Sequence, residues 1–330
     1  MRVLITGANG FIGQALSQRL LRQGHLRGER LTLLRLLDTE FSETFSDERV
    51  RQHAGSVADP VLLRRILADG IDVVFHLVSI AGGAAETDYG LGYQVNLLAS
   101  LELLEQLRCA AGCPVLVFAS SVAVYGASLP SRMDEQTVPQ PALSYGAHKR
   151  MVEIAVQDLA RRGEVDGRAL RLPGIVARPS GQQGLRSAFM SDLLHSYAAN
   201  RPFTCPVSPE ASAWWMSLHC CVDNLLRAAE IGALPAQASR VWQLPVLRLT
   251  VAEVVAALAA RFGNEPRARL SFRPEPELER LFGAFPPLRT PQARALGLHH
   301  DGNAAALVRN ALLSIPARPR VLPGNLAYEA

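Results

Sequence analysis

The residues with the clearest chemistry are Tyr145 and Lys149, four positions apart at the start of a long amphipathic pattern. Side chains four residues apart share one face of a helix, so the Lys149 ammonium can lie near the Tyr145 hydroxyl. A phenol with a pKa of about 10 is a poor base at neutral pH, but a neighbouring cation favours its ionised form. Lys149 is also the only lysine in the chain. The pair therefore predicts a tyrosine that acts as a general acid and base.

A glycine-rich segment near the amino terminus predicts a dinucleotide site. Gly7, Gly10 and Gly13 follow the apolar run 3–6 directly and open a helical pattern. In such a segment the first glycine permits a tight turn, the second lets a pyrophosphate approach the backbone and the third allows close helix packing. The helix amino terminus adds N–H donors and a positive dipole end. The other residues predicted to contact the cofactor here are Asn9, Phe11 and Ile12.

Asp38 indicates which dinucleotide is bound. It ends the second apolar strand pattern, 25 residues after Gly13, near the spacing expected for a carboxylate that binds the adenosine ribose diol. A carboxylate at this position repels a 2′-phosphate, which favours NAD. Arg35 keeps NADP open as an alternative, although it lies within the strand and not after it.

The elements that position these residues alternate between strand and helix. Near-continuous apolar strands predict a parallel sheet covered on both faces, a doubly wound α/β fold of the Rossmann type. We divide the chain into an NAD-binding part, 1–178, and a smaller substrate-binding part, 179–330, with some segments returning to the first part. The predicted strands are 3–6, 31–37, 72–78, 115–119, 240–244 and 269–272, and the predicted helices are 11–21, 60–68, 95–108, 144–161, 185–200, 222–231, 250–262 and 304–313.

Composition narrows the functional classes. The 330 residues are 48% hydrophobic and carry a formal net charge of +4, a weak field with scattered basic residues, which argues against nucleic-acid or membrane partners. The five cysteines do not form a zinc-ligand pattern, so no metal is predicted. We see no secretory leader before the first strand and expect a cytoplasmic protein with reduced thiols.

Together these motifs resemble the extended short-chain dehydrogenase/reductase family. The likeness rests on the GxxGxxG spacing, on Asp38, on YxxxK, and on a serine at a strand end followed by the VYG segment at 124–126. It implies that Ser121 is the catalytic serine, with Ser120 as the alternative, and that Tyr145 and Lys149 are the other catalytic residues. The resemblance is strong over 1–180 and weaker to about 315.

The resemblance also implies further contacts with NAD. Family members often carry an aspartate on the adenine where this chain has Ser56, so that contact falls to Ser56 with Val57, or is lost. Asn96 matches the structural asparagine of the family. The remaining positions that the resemblance assigns to the cofactor are Leu77, Val78, Pro173 and Ile175, together with Tyr145 and Lys149.

Departures from the family pattern bear on the substrate. Nucleotide-sugar epimerases carry an arginine where this chain has Ser217, and sugar dehydratases carry an Asp-Glu pair where it has Val122-Ala123. The segments at 76–79, 91–96, 172–179 and 288–297 are instead similar to a subgroup that oxidises a small four-carbon sugar acid with NAD. A carboxylate suits bidentate binding by arginine. The substrate residues expected are Arg178 or Arg186 for the carboxylate, and Ser79, Ser187, Ser121 and Tyr145 for hydroxyl groups.

The expected activity is NAD-dependent oxidation of a secondary hydroxyl of a small sugar acid to the keto acid. One alternative is a nucleotide-sugar 4-epimerase of the same fold, which would give no net NADH. The other is a non-catalytic NAD-binding sensor, which would bind the cofactor without turnover. The family resemblance further implies a homodimer formed through the helices that contain Val95 and Val152.

Overall fold

The structure is a computed structural model that describes residues 1–42, 44–110, 112–179 and 186–313. Parts of the predicted second region, 180–185 and 314–330, lie outside the described residues. The strands are β1 (Arg2–Thr6), β2 (His25–Leu26), β3 (Glu29–Arg30), β4 (Leu33–Asp38), β5 (Val50–Ala54), β6 (Val73–His76), β7 (Val115–Ser121), β8 (Met133–Asp134), β9 (Asp166–Leu172), β10 (Gly174–Val176), β11 (Phe203–Cys205), β12 (Ser212–Ser217), β13 (Val241–Gln243), β14 (Leu247–Thr250), β15 (Leu270–Phe272) and β16 (Leu288–Arg289). The α-helices are α1 (Phe11–Gln23), α2 (Pro60–Leu67), α3 (Gly82–Thr87), α4 (Tyr89–Gly92), α5 (Ala99–Cys109), α6 (Ser144–Arg161), α7 (Phe189–Ala198), α8 (Leu218–Glu230), α9 (Val251–Phe262), α10 (Pro276–Phe282), α11 (Pro291–Ala295) and α12 (Ala304–Ala311).

A seven-stranded parallel sheet forms the centre of the molecule and confirms the predicted fold class. Its strand order is β13-β9-β7-β6-β1-β4-β5. The chain builds outward from β1 through β4 to β5 and then crosses to the other side of β1 to add β6. Ligands in such sheets bind beside the carboxyl ends of the strands at this reversal point. The order therefore directs attention to the cleft above β1 and β6.

Apolar strands and amphipathic helices explain this core. The side chains of Val3, Leu4 and Ile5 are fully buried, as are Phe75 and Phe118 on neighbouring strands. Helix α6 covers the predicted range 144–161 and buries Val152 and Val156 against the sheet. Helix α2 begins at the predicted proline, where the Asp59 side chain accepts hydrogen bonds from the next free N–H groups.

The second half forms a smaller layer over the cleft. Strands β10, β12 and β14 make a three-stranded sheet, and a second apolar cluster lies among α7, α9 and α12. The indole N–H groups of Trp214 and Trp215 donate to the carbonyls of Pro286 at 2.8 Å and Leu249 at 3.0 Å. Strand β13 leaves this layer and pairs with β9 in the large sheet.

One predicted helix differs in its first turns. The range 95–108 was expected to be a regular helix, whereas Tyr93–Leu98 is a π-helix that continues into α5. Short π-helical segments are frequent at functional sites. Within the described residues, no helix is long and apolar enough to cross a membrane.

Candidate active site

A cleft of about 1100 Å³ lies where the sheet reverses and extends under the smaller layer. It brings together every residue predicted for the cofactor, the substrate or catalysis except Asn96. Segments that are far apart in the sequence meet here because the carboxyl ends of parallel strands share one edge of the sheet. The cleft is therefore the candidate active site.

The glycine loop has the shape of a phosphate cradle. Gly7 has a φ of +71°, which only glycine adopts readily, and its N–H donates to the Leu37 carbonyl at 2.9 Å. A Cβ on Gly13 would lie 2.2 Å from the Gly7 carbonyl oxygen. Among the described residues, no side chain caps the amino end of α1, so its N–H groups face the cleft. These features fit the pyrophosphate of a dinucleotide.

Asp38 lies beside this loop. Its carboxylate accepts hydrogen bonds from the backbone N–H groups of Asn9 and Thr39, each at 2.8 Å. Arg35, which kept NADP open, is buried on the far side of β4 and pairs there with Asp69 and the Ile66 carbonyl. The acidic residue, and not the basic one, lines the cofactor end of the cleft.

Tyr145 and Lys149 lie on one face of α6, as their spacing predicts. The Lys149 Nζ is 5.7 Å from the centre of the Tyr145 ring and donates to the Ala119 carbonyl at 2.8 Å. Burial raises the pKa of Tyr145, while hydrogen bonding to Ser121 and Ser79 and the charge of Arg178 act in the opposite direction. The phenol hydroxyl thus sits among two serine hydroxyls and one guanidinium.

Lys149 is almost completely enclosed. Burial lowers the pKa of its ammonium to about 7, and the Glu153 carboxylate on the next turn partly opposes this shift. An amine with a pKa near 7 is only partly protonated at neutral pH, so its charge responds to small changes in the groups that surround it.

The two adjacent serines take different directions. Ser121 ends β7, accepts from the Ala123 N–H at 3.1 Å and reaches Tyr145. Ser120 is buried and donates to Glu153 at 2.6 Å. Adjacent side chains on a strand point to opposite faces, which explains why one serine serves the cleft and the other serves the core.

Asn96 lies behind the cleft wall. Its buried side chain accepts from the Ile80 N–H at 2.8 Å, donates to the Ile80 carbonyl at 3.0 Å and accepts from the Ser79 hydroxyl at 3.2 Å. It sits in the π-helix. Asn96 thus holds the Ser79–Ile80 loop at the cleft wall, and its contact with the cofactor stays a prediction.

The two candidate arginines for the substrate have different surroundings. The Arg178 guanidinium lies 5.3 Å from the Phe11 ring centre and acts electrostatically on Tyr145. None of the described carboxylates lies within ion-pair distance of it. Arg186 is half exposed and pairs with Glu277 at 2.7 Å. Arg178 is thus the arginine with its charge available to a bound anion.

Sequence reasoning missed the part of the cleft that comes from late in the chain. Glu277, Arg280 and Leu281 of α10 line it, together with Trp214 and Phe285. Helix α10 is seven residues long, and no motif marks it in the sequence. Glu153, two turns beyond Tyr145 on α6, forms a buried ion pair with Arg171 at 2.8 Å that no sequence motif indicated. A glutamate on the buried face of α6 was the available signal for that pair.

Comparison with known proteins agrees with this geometry. The sequence model of the NAD dependent epimerase/dehydratase family matches residues 3–219. A D-erythronate dehydrogenase from Cupriavidus necator is 37% identical, over 94% of this chain and 97% of that protein. A D-erythronate dehydrogenase from Haemophilus influenzae is 31% identical, over 92% of this chain and 96% of that protein.

A solved structure has the same architecture. It is described as a nucleoside-diphosphate-sugar epimerase from Agrobacterium tumefaciens. The two chains superpose with a TM-score of 0.88 at 29% identity, covering 96% of this chain and 95% of the other. The likeness thus extends over both the large sheet and the smaller layer.

Proposed function

The chain belongs to the NAD dependent epimerase/dehydratase family, and from this premise we propose that it oxidises a secondary hydroxyl of a small, D-erythronate-like sugar acid to the keto acid. It is an NAD-dependent short-chain dehydrogenase. The observation that carries the choice of substrate is the meeting of Tyr145, Ser121 and the Arg178 guanidinium in one cleft. A hydroxyl and a carboxylate on the same short molecule suit that combination.

The glycine loop holds the pyrophosphate of NAD in this proposal, and Asp38 holds the adenosine ribose. The cradle around Gly7 and Gly13 supports this assignment, because a Cβ at either position would collide with backbone atoms. Bound NAD supplies the acceptor for the hydride that leaves the substrate carbon. The further residues proposed to contact NAD are Asn9, Gly10, Phe11, Ile12, Ser56, Val57, Leu77, Val78, Lys149, Pro173 and Ile175.

Tyr145 acts as the general base in this mechanism, and Ser121 holds the same substrate oxygen. The Tyr145 phenolate removes the hydroxyl proton at its Oη. Lys149 stabilises that phenolate through its positive charge and binds the ribose. Because burial raises the pKa of Tyr145, we expect oxidation to accelerate as the pH rises into the alkaline range.

The acid group of the substrate is assigned to Arg178. Arg186 competes less well because Glu277 already neutralises it. Ser79 and Ser187 line the same region and are proposed to bind the remaining hydroxyl groups.

The test is NADH absorbance after mixing the purified protein with NAD and a panel of four- to six-carbon aldonic acids. We expect net NADH with a four-carbon acid, and a Tyr145→Phe variant to lose about 10²- to 10⁴-fold in turnover. Tyr89→Phe, an exposed tyrosine outside the cleft, is the matched control. Full turnover by Tyr145→Phe would refute the assigned base.

The same experiment distinguishes the dehydrogenase from the alternative, a nucleotide-sugar 4-epimerase. The similarity to the Agrobacterium structure, described as an epimerase, is the reason to test this alternative. UDP-glucose and UDP-galactose are included, and their interconversion without net NADH would replace the dehydrogenase proposal. The geometry at Ser217 speaks against that outcome. Its hydroxyl donates to Asp301 at 2.5 Å and caps α8, so it offers no charge to a nucleoside diphosphate. NAD binding without turnover of either class would indicate a sensor.

We further propose that the protein is a cytoplasmic homodimer. Helices α5 and α6 pack side by side and expose the apolar side chains of Leu101, Met151 and Ile154. Leu98, at the end of the π-helix that precedes α5, is exposed beside them. Two copies facing each other across these helices would remove that surface from water. The five cysteines are free, which suits a reducing compartment.

A further inference from the structure

A buried carboxylate lies directly beneath the proposed catalytic residues. Glu153 is fully buried on α6, one turn beyond Lys149 and two turns beyond Tyr145. It accepts from Ser120 at 2.6 Å and from Arg171 through two nitrogens at 2.9 and 2.8 Å. Arg150 adds a further bond at 3.0 Å. One carboxylate thus joins a helix to two neighbouring strands of the sheet.

Each element that Glu153 joins carries a residue of the cleft. Ser120 precedes Ser121 on β7, and Arg171 lies two residues before Pro173. Ser120 and Arg171 are also direct partners in the pairing of β7 with β9. Arg171 extends the network to the Tyr125 hydroxyl at 2.9 Å, on the turn that follows Ser121.

Stability alone explains this network poorly. Removing two charges from water offsets most of their attraction, so a well-packed apolar cluster would serve the core equally well. What a buried, fully bonded ion pair adds is a fixed geometry between the groups that it joins. Reacting groups that shift by about 1 Å lose on the order of 100-fold in rate.

We propose that Glu153 is a positioning residue for the oxidation: it locks α6, β7 and β9 together so that Tyr145, Ser121 and Lys149 meet the substrate hydroxyl. This inference rests on the proposed dehydrogenase function. Glu153 does not touch the substrate or the cofactor and acts only through its neighbours.

The negative charge of Glu153 also acts on the protonation of Lys149. The titratable and charged groups facing Lys149 and Tyr145 are His76 on β6, Glu153 on α6 and Arg178 after β10. His76 is neutral, since burial lowers its pKa to about 3. Glu153 is therefore the anion that holds the proton on Lys149. Without it, Lys149 loses its charge at lower pH and the Tyr145 phenolate loses its neighbouring cation.

The experiment compares Glu153→Gln, which keeps the shape of the side chain, with Ser120→Ala, which keeps the charge. For Glu153→Gln we expect kcat to fall about 10- to 100-fold with KM for the sugar acid nearly unchanged. We also expect the rising limb of the pH profile to move to higher pH. Ser120→Ala should lower kcat about threefold without moving the profile.

Asp166→Asn is the matched control. Asp166 pairs with Arg168 at 2.6 Å and with Arg240 at 2.9 Å, at the opposite end of β9 from the cleft. This variant should lower the thermal unfolding temperature but leave kcat and the pH profile unchanged. A Glu153→Gln protein that behaves in the same way would overturn the proposal. If Glu153→Gln does not fold, as judged by circular dichroism, an unchanged kcat in Ser120→Ala overturns it.

A readout without substrate separates this inference from the proposed function. The ionisation of Tyr145 in the NAD complex is followed by phenolate absorbance, as the difference between each protein and its Tyr145→Phe counterpart. We expect its midpoint to rise in Glu153→Gln and to stay constant in Asp166→Asn. If the unaltered protein oxidises no sugar acid, the proposed function fails, and this midpoint alone supports or overturns the role of Glu153.

Discussion

The Lys149 side chain is only 1% exposed, and burying its amine affects the stability of the folded protein. Its pKa falls from 10.5 to about 7 on burial. Below pH 7 the amine is charged in both the folded and the unfolded chain, so the cost of burying the charge is fully present. In the protein without NAD, where Tyr145 is a neutral phenol, only the unfolded chain keeps this proton between about pH 7 and 10.5, so the contribution to stability improves as the pH rises.

We predict that Lys149→Met changes the pH dependence of folding. Relative to the unaltered protein, the variant should lose about 3 to 4 kcal/mol of its unfolding free energy between about pH 7 and pH 10. Urea unfolding without NAD measures this difference. Arg161→Met, at the exposed end of the same helix, should show no such trend. A difference that is constant with pH would contradict the assignment.

Arg178 and Arg186 differ in whether a carboxylate already pairs with the guanidinium group. Arg178→Met should raise KM for the sugar acid about 10- to 100-fold, because a charged hydrogen bond to the carboxylate is lost. Arg186→Met should raise it less than about threefold, since that arginine is exposed and paired with Glu277. Initial rates at saturating NAD measure both. A larger KM effect in Arg186→Met would reverse the assignment.

At this scale the sequence predicted the residues whose chemistry depends on local spacing. Tyr145 and Lys149 are one helical turn apart, so no tertiary information was needed to bring them together. The sequence could not show which of Arg178 and Arg186 binds the substrate carboxylate, because Glu277, the ion-pair partner of Arg186, lies on α10, far along the chain. The Glu153–Arg171 pair likewise depends on a contact between α6 and β9 that no motif encodes.

The glycine loop is the element proposed to hold the cofactor through its backbone. In Gly13→Ala the new Cβ would lie 2.2 Å from the Gly7 carbonyl oxygen, so the turn and α1 must move apart. We predict a loss of about 1 to 3 kcal/mol in unfolding free energy, together with a loss of NAD affinity of at least about 100-fold. Thermal unfolding and calorimetric titration with NAD measure these effects.

Gly10→Ala serves as the control for this element. Its Cβ would lie 3.2 Å from the same oxygen, and Gly10 is exposed. We expect weaker NAD binding with little change in stability, because the methyl group meets the ligand and not the fold. Equal stability losses in the two variants would mean that the third glycine has no special packing role.

Elements were predictable where their pattern is both local and apolar. Helix α6 covers its predicted range, 144–161. Strand β7 ends two residues beyond its predicted range, 115–119. Strand β5 has exposed and half-buried polar residues at the edge of the sheet, so its sequence lacks an apolar run. The π-helix at Tyr93–Leu98 follows from tertiary contacts of Asn96, which the periodicity of the segment does not contain.

The whole molecule presents an apolar surface on α5 and α6 that a second copy would cover. We predict that Ile154→Glu, which places a charge at a side chain that is 55% exposed, converts a dimer to monomers in sedimentation velocity. Val61→Glu on α2, where the side chain is 64% exposed, should leave the dimer intact. Monomeric sedimentation of the unaltered protein at micromolar concentration would contradict the proposed dimer.

Because β13 pairs with β9, the large sheet cannot be completed early in translation. Strand β9 is complete at Leu172, but its outer neighbour ends at Gln243. At the usual speed of translation, roughly 4 to 14 s pass between these two points. During that interval the nascent chain carries an unpaired strand edge on β9. The Arg168 guanidinium also lacks its hydrogen-bond acceptors, the carbonyls of Ala228 and Ala229, until these residues have been synthesised. The large sheet is therefore complete only after residues 179–243 of the second part have been synthesised.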